Sequence, residues 1–198
     1  SVMSGFTVAF AILLFTLLLG VASGLGNFFK GAFADDAQNM MFVRVWKTTK
    51  PYKGLQTGRS IQLKNTDYNY VTEEYADKIQ YQSARIYKNF SIKYKNEANP
   101  YNVRAVHPDH QFLEKTIMDE GRYLNEKDLH QKAKVIVIGR LIQKDLFGEL
   151  PALGKRVNVN GSSFLIIGVF SDEGGDNEER MAYIPVTTAQ MMYGNNDY

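Results

Sequence analysis

The chain has 198 residues, which is enough for one or two domains with a sizeable buried core. Its 23 lysines and arginines nearly balance 21 aspartates and glutamates, and the net charge of +2 is too even for a dedicated nucleic-acid-binding protein or a polybasic tail. The chain has no cysteine, which excludes disulfides, thiolate zinc sites and cysteine nucleophiles.

The chain opens on an apolar stretch, and residues 6–29 carry no charge. A helix rises about 1.5 Å per residue, so a hydrocarbon core of about 30 Å needs roughly 20 apolar residues, a length that Phe6 to Leu25 meets. A secretory signal peptide is the main alternative, because Ala22-Ser23-Gly24 can imitate a cleavage site. The run is longer than a signal's usual apolar region, and no lysine or arginine precedes it. We therefore predict a transmembrane helix over residues 1–29.

Two glycines near the end of this helix, Gly20 and Gly24, form a G-x-x-x-G pair. On a membrane helix this spacing leaves two side-chain-free patches on one face, where another helix can pack closely. The alternative is that these glycines, with Gly26, loosen the helix as it leaves the bilayer. The sequence leaves both interpretations open.

The pattern of residues 39–106 predicts a β-α-β unit, from Asn39 to Tyr94, and one further strand. Alternation of apolar and polar residues marks the strands, and apolar residues at three- or four-residue steps mark the helix, which Thr66 or Asp67 is placed to cap. The predicted elements are a strand over 41–46, a loop or exposed hairpin over 47–60, a short strand at Ile61 and Leu63, an amphipathic helix over 65–79 and strands over 83–94 and 101–106.

A second region begins near Asp109 and is rich in strands. Asn125 and Asp128 are spaced to cap a helical turn, and Asn160-Gly161 favours a two-residue hairpin turn. The predicted elements are a short helix over 109–118, a break at Gly121, a central strand over 134–139, a helix stopped by Gly148, a hairpin around Asn160-Gly161, a polar flexible loop over 172–180 and a last strand over 181–186, in which Pro185 indicates a sheet edge or a strand end.

Two patterns contain possible metal ligands, but neither completes a metal site. The chain has three histidines, His107, His110 and His130. His107 and His110 are three residues apart, but Pro108 forces an extended or turned chain, and no nearby partner completes a metal site. The acidic residues of the 172–180 loop do not match the spacing of the twelve-residue calcium loop, and a run of charges is usually a solvated surface. Those residues are Asp172, Glu173, Asp176, Glu178 and Glu179. Since a G-x-S-x-G elbow and a G-x-x-x-x-G-K loop are also absent, we predict no catalytic, cofactor-binding or metal site in this chain.

Aromatic and basic residues interleave between Tyr81 and Arg104, a pattern that can stack and clamp single-stranded nucleic acid. A half-buried strand with a solvated outer face explains the same alternation. Because the total charge is near neutral and a membrane span is attached, we expect no nucleic acid partner.

Several short motifs occur in an order that resembles one family. These are "VRAVHP", "EGRYLNEKD", "KVIVIG", "LFG", "LGKRVNVNG", "FLIIGVF" and "YIPV". They follow an apolar span that ends in the glycine-rich sequence "GLGN". Together they resemble the MacB/FtsX-type ABC transporter permeases, specifically the first transmembrane helix and the MacB-like periplasmic core domain. The resemblance covers nearly the whole chain, and it is strongest over 101–186 and weak over 47–100.

The resemblance implies an α+β fold in which one N-terminal transmembrane helix precedes a porter-like part and a β-rich inserted part. Residues 1–29 would be the helix, 33–106 the first half of the porter-like subdomain, 109–186 the inserted subdomain and 187–198 the start of the return. The family's remaining helices would follow Tyr198, so the resemblance implies a fragment. Gly121, Asn125, Asp128, Gly148, Gly154 and Gly161 would be scaffold residues that shape turns and helix starts.

The function that the resemblance implies is mechanical rather than enzymatic. The chain would belong to a permease subunit of the bacterial inner membrane, with residues after about 30 in the periplasm or extracytoplasmic space. Its partners would be the lipid bilayer, a cytoplasmic ATPase that is separate or fused, a second permease copy and an adaptor protein. ATP-driven rearrangement would serve export, lipoprotein release or activation of a cell-wall hydrolase.

Two other classes of function remain as alternatives. A secreted or membrane-tethered binding module would recognise a peptide, glycan or protein partner through exposed strands and aromatic residues. A tethered hydrolase would need a clustered nucleophile, base and orienting acid. The chain has only three histidines to act as the base, and two of them flank Pro108. The leading alternatives differ in whether Phe6 to Leu25 stays in the membrane or is cleaved.

Overall fold

The computed structural model describes residues 2–32, 40–172, 174–194 and 198, and within the first helix it describes the side chains of residues 5–25. Helix α1 spans Val2–Ala32. Within it, Gly5–Leu25 is long and apolar enough to cross a membrane, with a mean hydropathy of 2.5, and none of it is buried against the rest of the protein. The hydroxyl of Thr16 donates to the carbonyls of Ile12 and Leu13 at 3.0 and 2.9 Å, so the helix satisfies its central polar side chain internally. The predicted apolar helix is therefore present as a candidate membrane span.

Residues 40–64 form an irregular hairpin rather than strands. Isolated bridges join Lys47 to Ser60 and Tyr52 to Leu55, and the prediction of a loop or exposed hairpin over 47–60 is confirmed. The predicted strands over 41–46 and at 61–63 are wrong. Alternation alone does not make a strand, because the backbone also needs a neighbouring strand to pair with, and in the described part of the chain these residues find none.

Helix α2, Asn65–Glu74, ends five residues earlier than predicted. Lys64 takes the N-cap position instead of Thr66 or Asp67, and the Asp67 carboxylate accepts from the Lys64 N–H at 2.8 Å. Strands β1, Arg85–Tyr94, and β2, Glu97–Val106, form an antiparallel hairpin. The predicted β-α-β unit is thus wrong, because α2 leads into a hairpin and is not preceded by a paired strand.

The second region follows its predicted order more closely. Its elements are α3 His110–Leu113, β3 Ile117–Gly121, α4 Glu126–His130, β4 Val135–Gly139, α5 Arg140–Phe147, β5 Arg156–Val159, β6 Ser162–Ser171, α6 Asp176–Glu179, β7 Met181–Pro185 and α7 Val186–Tyr193. The predicted helix over 109–118 is reduced to α3, since the chain turns into β3 to pair with β6. The polar loop over 172–180 contains α6.

One sheet contains all seven strands, in the order β3-β6-β4-β7-β2-β1-β5. β5 also pairs with β6, so six strands close into a ring through β6, β4, β7, β2, β1 and β5. The predicted central strand is confirmed, because every residue of β4 is buried between β6 and β7. β7 lies between β4 and β2, so of the two positions that Pro185 indicated, the strand end is confirmed and the sheet edge is not.

The sheet has an apolar core on each face. One core gathers side chains of β1, β2, β4, β5, β6 and β7 beneath α5 and α7, with Ile92, Ile138 and Phe164 fully buried. The other surrounds Tyr183 and Phe170, and it is covered by Tyr123 and Leu124 before α4. The protein is therefore a mixed α/β protein, and the proposed parts 33–106 and 109–186 both contribute strands to the same sheet.

We predict that Gly121→Ala destabilises the protein more than Gly154→Ala. Both glycines have positive φ, +72° and +75°, which costs an L-residue about 1–2 kcal/mol. At Gly121 a Cβ atom would also overlap the Ile167 carbonyl oxygen and lie 2.6 Å from Leu153, whereas at Gly154 no atom lies within 4 Å. The expected losses in the free energy of unfolding are about 3 kcal/mol or more for Gly121→Ala and about 1–2 kcal/mol for Gly154→Ala.

Urea unfolding of the full chain in detergent, followed by circular dichroism, measures both losses. Equal destabilisation by the two variants would contradict the close packing of β3 against β6.

Candidate functional site

The proposed helix-packing residues lie on an open face of α1. No atom lies within 4 Å of a Cβ built at Gly20 or at Gly24, and the side chains over Gly5–Leu25 are all exposed. The face is therefore accessible to another helix, and its use in packing stays a prediction.

The scaffold residues shape turns of the folded domain. The Asn125 side chain accepts from the Asp128 N–H and the Asp128 carboxylate accepts from the Asn125 N–H, both at 3.0 Å, which is a reciprocal cap at the start of α4. Asp128 also receives two hydrogen bonds from Arg122, at 2.6 and 3.0 Å. Asn160 and Gly161 both have positive φ, 47° and 84°, as a primed two-residue hairpin turn requires. Gly148 and Gly154 have φ of 61° and 75° in exposed turns.

Four charged side chains form a partly buried charged cluster, which consists of Arg85, Arg104, Glu114 and Glu178. Glu114 lies between the two arginines, with one carboxylate oxygen paired to Arg85 and the other 3.2 Å from Arg104 Nη1. Arg104 Nη2 lies 3.3 Å from Glu178 Oε2. The cluster joins β1, β2, the turn after α3, and α6. Its two cations and two carboxylates balance, which offsets the cost of removing each charge from water.

Three buried rings form the floor of the charged cluster. Tyr183 is the sheet neighbour of Arg104, and its ring lies 5.0 Å from His110 and 5.7 Å from Tyr123. His110 Nδ1 and the Tyr123 hydroxyl are 3.2 Å apart. Burial raises the pKa of Tyr123 and of Tyr183, and it lowers the pKa of His110, which the charges of Arg85 and Arg104 lower further. All three rings are therefore neutral at pH 7.

Sequence reasoning missed the charged cluster and its floor. A signal was present, because Arg104 interrupts the apolar residues Val103, Ala105 and Val106 of β2, and a charge in a buried run requires a partner. The partner could not be named, since Glu114 and Glu178 come from segments whose positions depend on the whole sheet.

His107 and His110 bind separate partners. His107 Nδ1 accepts from the Ala84 N–H at 3.2 Å, and its ring stacks on Tyr68 with centroids 4.1 Å apart. Burial lowers the pKa of His107 to about 4. His110 faces Tyr123 instead. Among the described residues, no three His, Asp or Glu side chains are grouped to hold a metal ion.

The acidic loop directs its carboxylates to different places. Asp172 accepts from the Gly174 N–H at 2.7 Å, Glu178 faces Arg104, and Glu179 lies 3.0 Å from Arg140. Asp176 is exposed in the first turn of α6. Glu173 lies outside the described residues. The two glutamates of α6 thus tie this helix to β2 and α5.

The interleaved aromatic and basic residues are largely engaged with the protein itself. Arg85 and Arg104 hold Glu114, and Tyr81 stacks on Phe112 with centroids 4.7 Å apart. Tyr101 is buried, and its hydroxyl donates to Asp145 at 3.2 Å. These side chains therefore contact other parts of the same domain and stabilise the sheet and the loops next to it.

A polar cleft of about 550 Å³ opens beside β1 and β2. Its ion pair joins Arg180 to Asp145, and most of its other lining residues carry amide groups that both donate and accept hydrogen bonds. The lining residues are Asn89, Asn99, Pro100, Tyr101, Asn102, Asp145, Asn177, Arg180 and Met181. Sequence reasoning missed this cleft, since its residues are brought together by the β2–β7 pairing.

Comparison with known proteins places the whole chain in one family. The family model of the MacB-like periplasmic core domain matches residues 1–198. Among curated relatives, the macrolide export ATP-binding/permease protein MacB of Wolinella succinogenes is 31% identical over 108 residues, which are 52% of this chain and 17% of that protein. The uncharacterized ABC transporter permease YvrN of Bacillus subtilis is 33% identical over 73 residues, 33% of this chain and 18% of that protein. The chain therefore matches less than a fifth of the length of these relatives.

Two solved structures share the fold. The periplasmic region of MacB from Actinobacillus actinomycetemcomitans superposes with a TM-score of 0.61 at 24% identity, covering 77% of this chain and 69% of that one. The extracellular domain of the ABC-type transporter YknZ from Gram-positive bacteria gives 0.62 at 22% identity, covering 69% and 70%.

We predict that Glu114→Gln lowers the free energy of unfolding by about 3 kcal/mol, because it removes the shared partner of two arginines that are largely buried. Arg180→Gln is the matched control. It breaks an ion pair whose arginine side chain is 47% exposed, so its expected cost is at most about 1 kcal/mol.

Urea unfolding of the full chain in detergent compares the two variants. A cost for Glu114→Gln no larger than that for Arg180→Gln would show that the charged cluster does not stabilise the sheet.

Proposed function

The chain belongs to the MacB-like periplasmic core domain family of ABC-type permeases, and we propose that it is the first membrane span and extracytoplasmic domain of such a permease subunit. The observation that carries this proposal is the match of the family model over residues 1–198, which includes α1 as well as the sheet. The proposed location is the bacterial inner membrane, with residues after about 30 on its outer side.

The properties of α1 support an anchoring role. Gly5–Leu25 has 21 residues, enough for a hydrocarbon core of about 30 Å, and its side chains are exposed. A buried core helix would instead cover such side chains with protein. Gly20 and Gly24 offer a close-packing face, which fits a second permease copy or another helix of the same subunit.

The packing of the outer domain supports a role in transmitting motion. Its seven strands form one sheet with an apolar core on each face, and such packed elements move as rigid bodies. Within this domain we assign residues 33–106 to the first half of a porter-like subdomain, 109–186 to an inserted subdomain and 187–198 to the start of the return.

ATP hydrolysis belongs to a different domain or chain in this proposal. The sequence has no G-x-x-x-x-G-K phosphate loop, so a separate or fused cytoplasmic ATPase would drive the motion. The motion would serve export, lipoprotein release or activation of a cell-wall hydrolase, with an adaptor protein as a further partner. The name of the Wolinella relative specifies macrolide export for that protein.

We predict that a cysteine at position 163 is labelled from outside the cell. The chain has no cysteine, so Ser163→Cys in the exposed β5–β6 hairpin gives a single reactive site. A membrane-impermeant maleimide should label it in intact spheroplasts. Thr16→Cys, in the middle of α1, is the matched control and should react only after the membrane is dissolved in detergent. Labelling of Ser163→Cys only after lysis would place the domain on the wrong side and contradict the proposal.

We further predict that the tagged subunit, isolated from membranes of its native host in mild detergent, hydrolyses ATP through a phosphate-binding loop that is either fused to it or carried by a chain isolated with it. Vanadate should inhibit this hydrolysis. An isolated subunit with correct membrane topology but without ATPase activity would favour the tethered binding module instead.

A further inference from the structure

The polar cleft beside β1 and β2 results from a difference in strand length. β2 has ten residues and β7 has five, and their pairing begins where Asn102 meets Met181. Residues 97–101 of β2 therefore have no strand partner on this side among the described residues. Side chains of α5 and α6 line the other wall, and the Tyr101 hydroxyl reaches across to Asp145 at 3.2 Å.

The cleft lies at the end of β7 that is farther from Tyr198. It contains Met181, the first residue of β7. The ring centroid of Tyr198 lies 6.1 Å from that of His107, just beyond the other end of the ladder, where Val106 pairs with Pro185. The four residue steps of β7 between these ends span about 13 Å. The walls of the cleft are therefore set by the β1, β2 and β7 ladders and by the ion pairs of α6, and not by the surface around Tyr198.

The walls of the cleft carry amide groups whose hydrogen-bonding capacity is only partly used. Asn89 Nδ2 lies 3.4 Å from Asn102 Oδ1. The same distance separates Asn99 Nδ2 from the Tyr101 hydroxyl, and both contacts are longer than an ordinary hydrogen bond. Asn177 is exposed on the opposite wall. A primary amide donates two hydrogen bonds and accepts two, so most of this capacity is open to a ligand.

The charges of the cleft balance each other. Asp145 accepts from Tyr101 and pairs with Arg180, and both contacts use its Oδ2 atom. No described residue donates a hydrogen bond to Asp145 Oδ1. Burial raises the pKa of Tyr101 to about 12, so its hydroxyl stays neutral at physiological pH. One cation paired with one anion favours a neutral polar ligand over a strongly charged one.

We propose that the polar cleft binds a neutral sugar as part of a short glycan. A sugar hydroxyl both donates and accepts, and two neighbouring hydroxyls can bond together to the two ends of an amide or to a carboxylate. The volume of about 550 Å³ lies within the range of roughly 300–1,000 Å³ that small-molecule sites occupy. Pro100 and Met181 supply apolar surface for the C–H face of a sugar ring.

The composition of the cleft favours a sugar over an extended peptide. A peptide would add to the free edge of β2 as a further strand, but Pro100 has no N–H to donate there. An added strand would also need apolar pockets for alternate side chains, whereas most of the lining residues of this cleft are polar.

A bound glycan would contact both walls of the cleft at once. One wall comes from the β1–β2 hairpin, and the other comes from α5 and α6. A ligand favours the conformation in which its contacts are complete, so an occupied cleft would hold the hairpin against these helices. This binding goes beyond the transmission of motion, and it does not require α1 to span a membrane.

Saturation-transfer NMR tests the proposal, because it detects weak binding of small molecules to a large particle. The full chain is placed in nanodiscs of phosphatidylcholine, since a detergent with a sugar headgroup would compete for the cleft. The probes are the neutral trisaccharides maltotriose, cellotriose and chitotriose, with pentaalanine as the peptide. We expect transfer to at least one trisaccharide, with a dissociation constant between about 10 μM and 1 mM.

Variants locate the bound sugar. Asn102→Ala and Asn177→Ala remove one exposed amide from each wall. Each loses hydrogen bonds to the ligand, so the double variant should raise the dissociation constant about tenfold or more. Gln131→Ala is the matched control, because it removes an exposed amide after α4, outside the cleft, and should leave the constant unchanged. Circular dichroism verifies that each variant is folded.

Three results would overturn the proposal. The first is absence of transfer to all three trisaccharides. The second is equal affinity of the double variant and the unaltered chain, which would show that the sugar binds elsewhere. The third is binding of pentaalanine alone, lost in the double variant, which would assign the cleft to peptides. All three leave the proposed function standing, because the labelling of Ser163→Cys tests the membrane topology separately.

Discussion

The parallel pairing of β2 with β7 is the constraint on which the rest of the outer domain depends. It aligns Asn102 with Met181 and Val106 with Pro185, and it is the longer of the two ladders, beside the β1–β5 pairing, that join the β1–β2 hairpin to the other strands. Parallel partners require a long connection, and here that connection contains β3 to β6 with their helices. Closing this loop costs chain entropy, which the two apolar cores on either face of the sheet offset.

The charged cluster lies across the same junction. Arg104 of β2 is the register neighbour of Tyr183 of β7, and its guanidinium reaches Glu114 after α3 and Glu178 of α6. Buried charges need their partners, so moving β2, α6 or the turn after α3 apart would leave a charged side chain without its ion-pair partner. The cluster therefore favours motion of the domain as a unit, as the proposed transmission of movement from the membrane requires.

The features that the sequence predicted well depend on local interactions. The α4 cap involves residues three apart, the β5–β6 turn needs only Asn160 and Gly161, and β4 is marked by its own continuous apolar run. The failures involve distant partners. Residues 41–46 alternate like a strand but pair with no neighbouring strand among the described residues. The charged cluster and the polar cleft depend on the β2–β7 register, which no local pattern specifies.

Hydrogen exchange of the full chain in detergent, followed through increasing denaturant, tests most directly whether the outer domain is one unit. If the β2–β7 ladder joins its parts, amides of the β1–β2 hairpin and amides of β4 and β7 should open with the same free energy and the same denaturant dependence. Loss of protection in the hairpin at lower denaturant, while β4 and β7 stay protected, would show two independent units and contradict the account of a domain that moves as a single body.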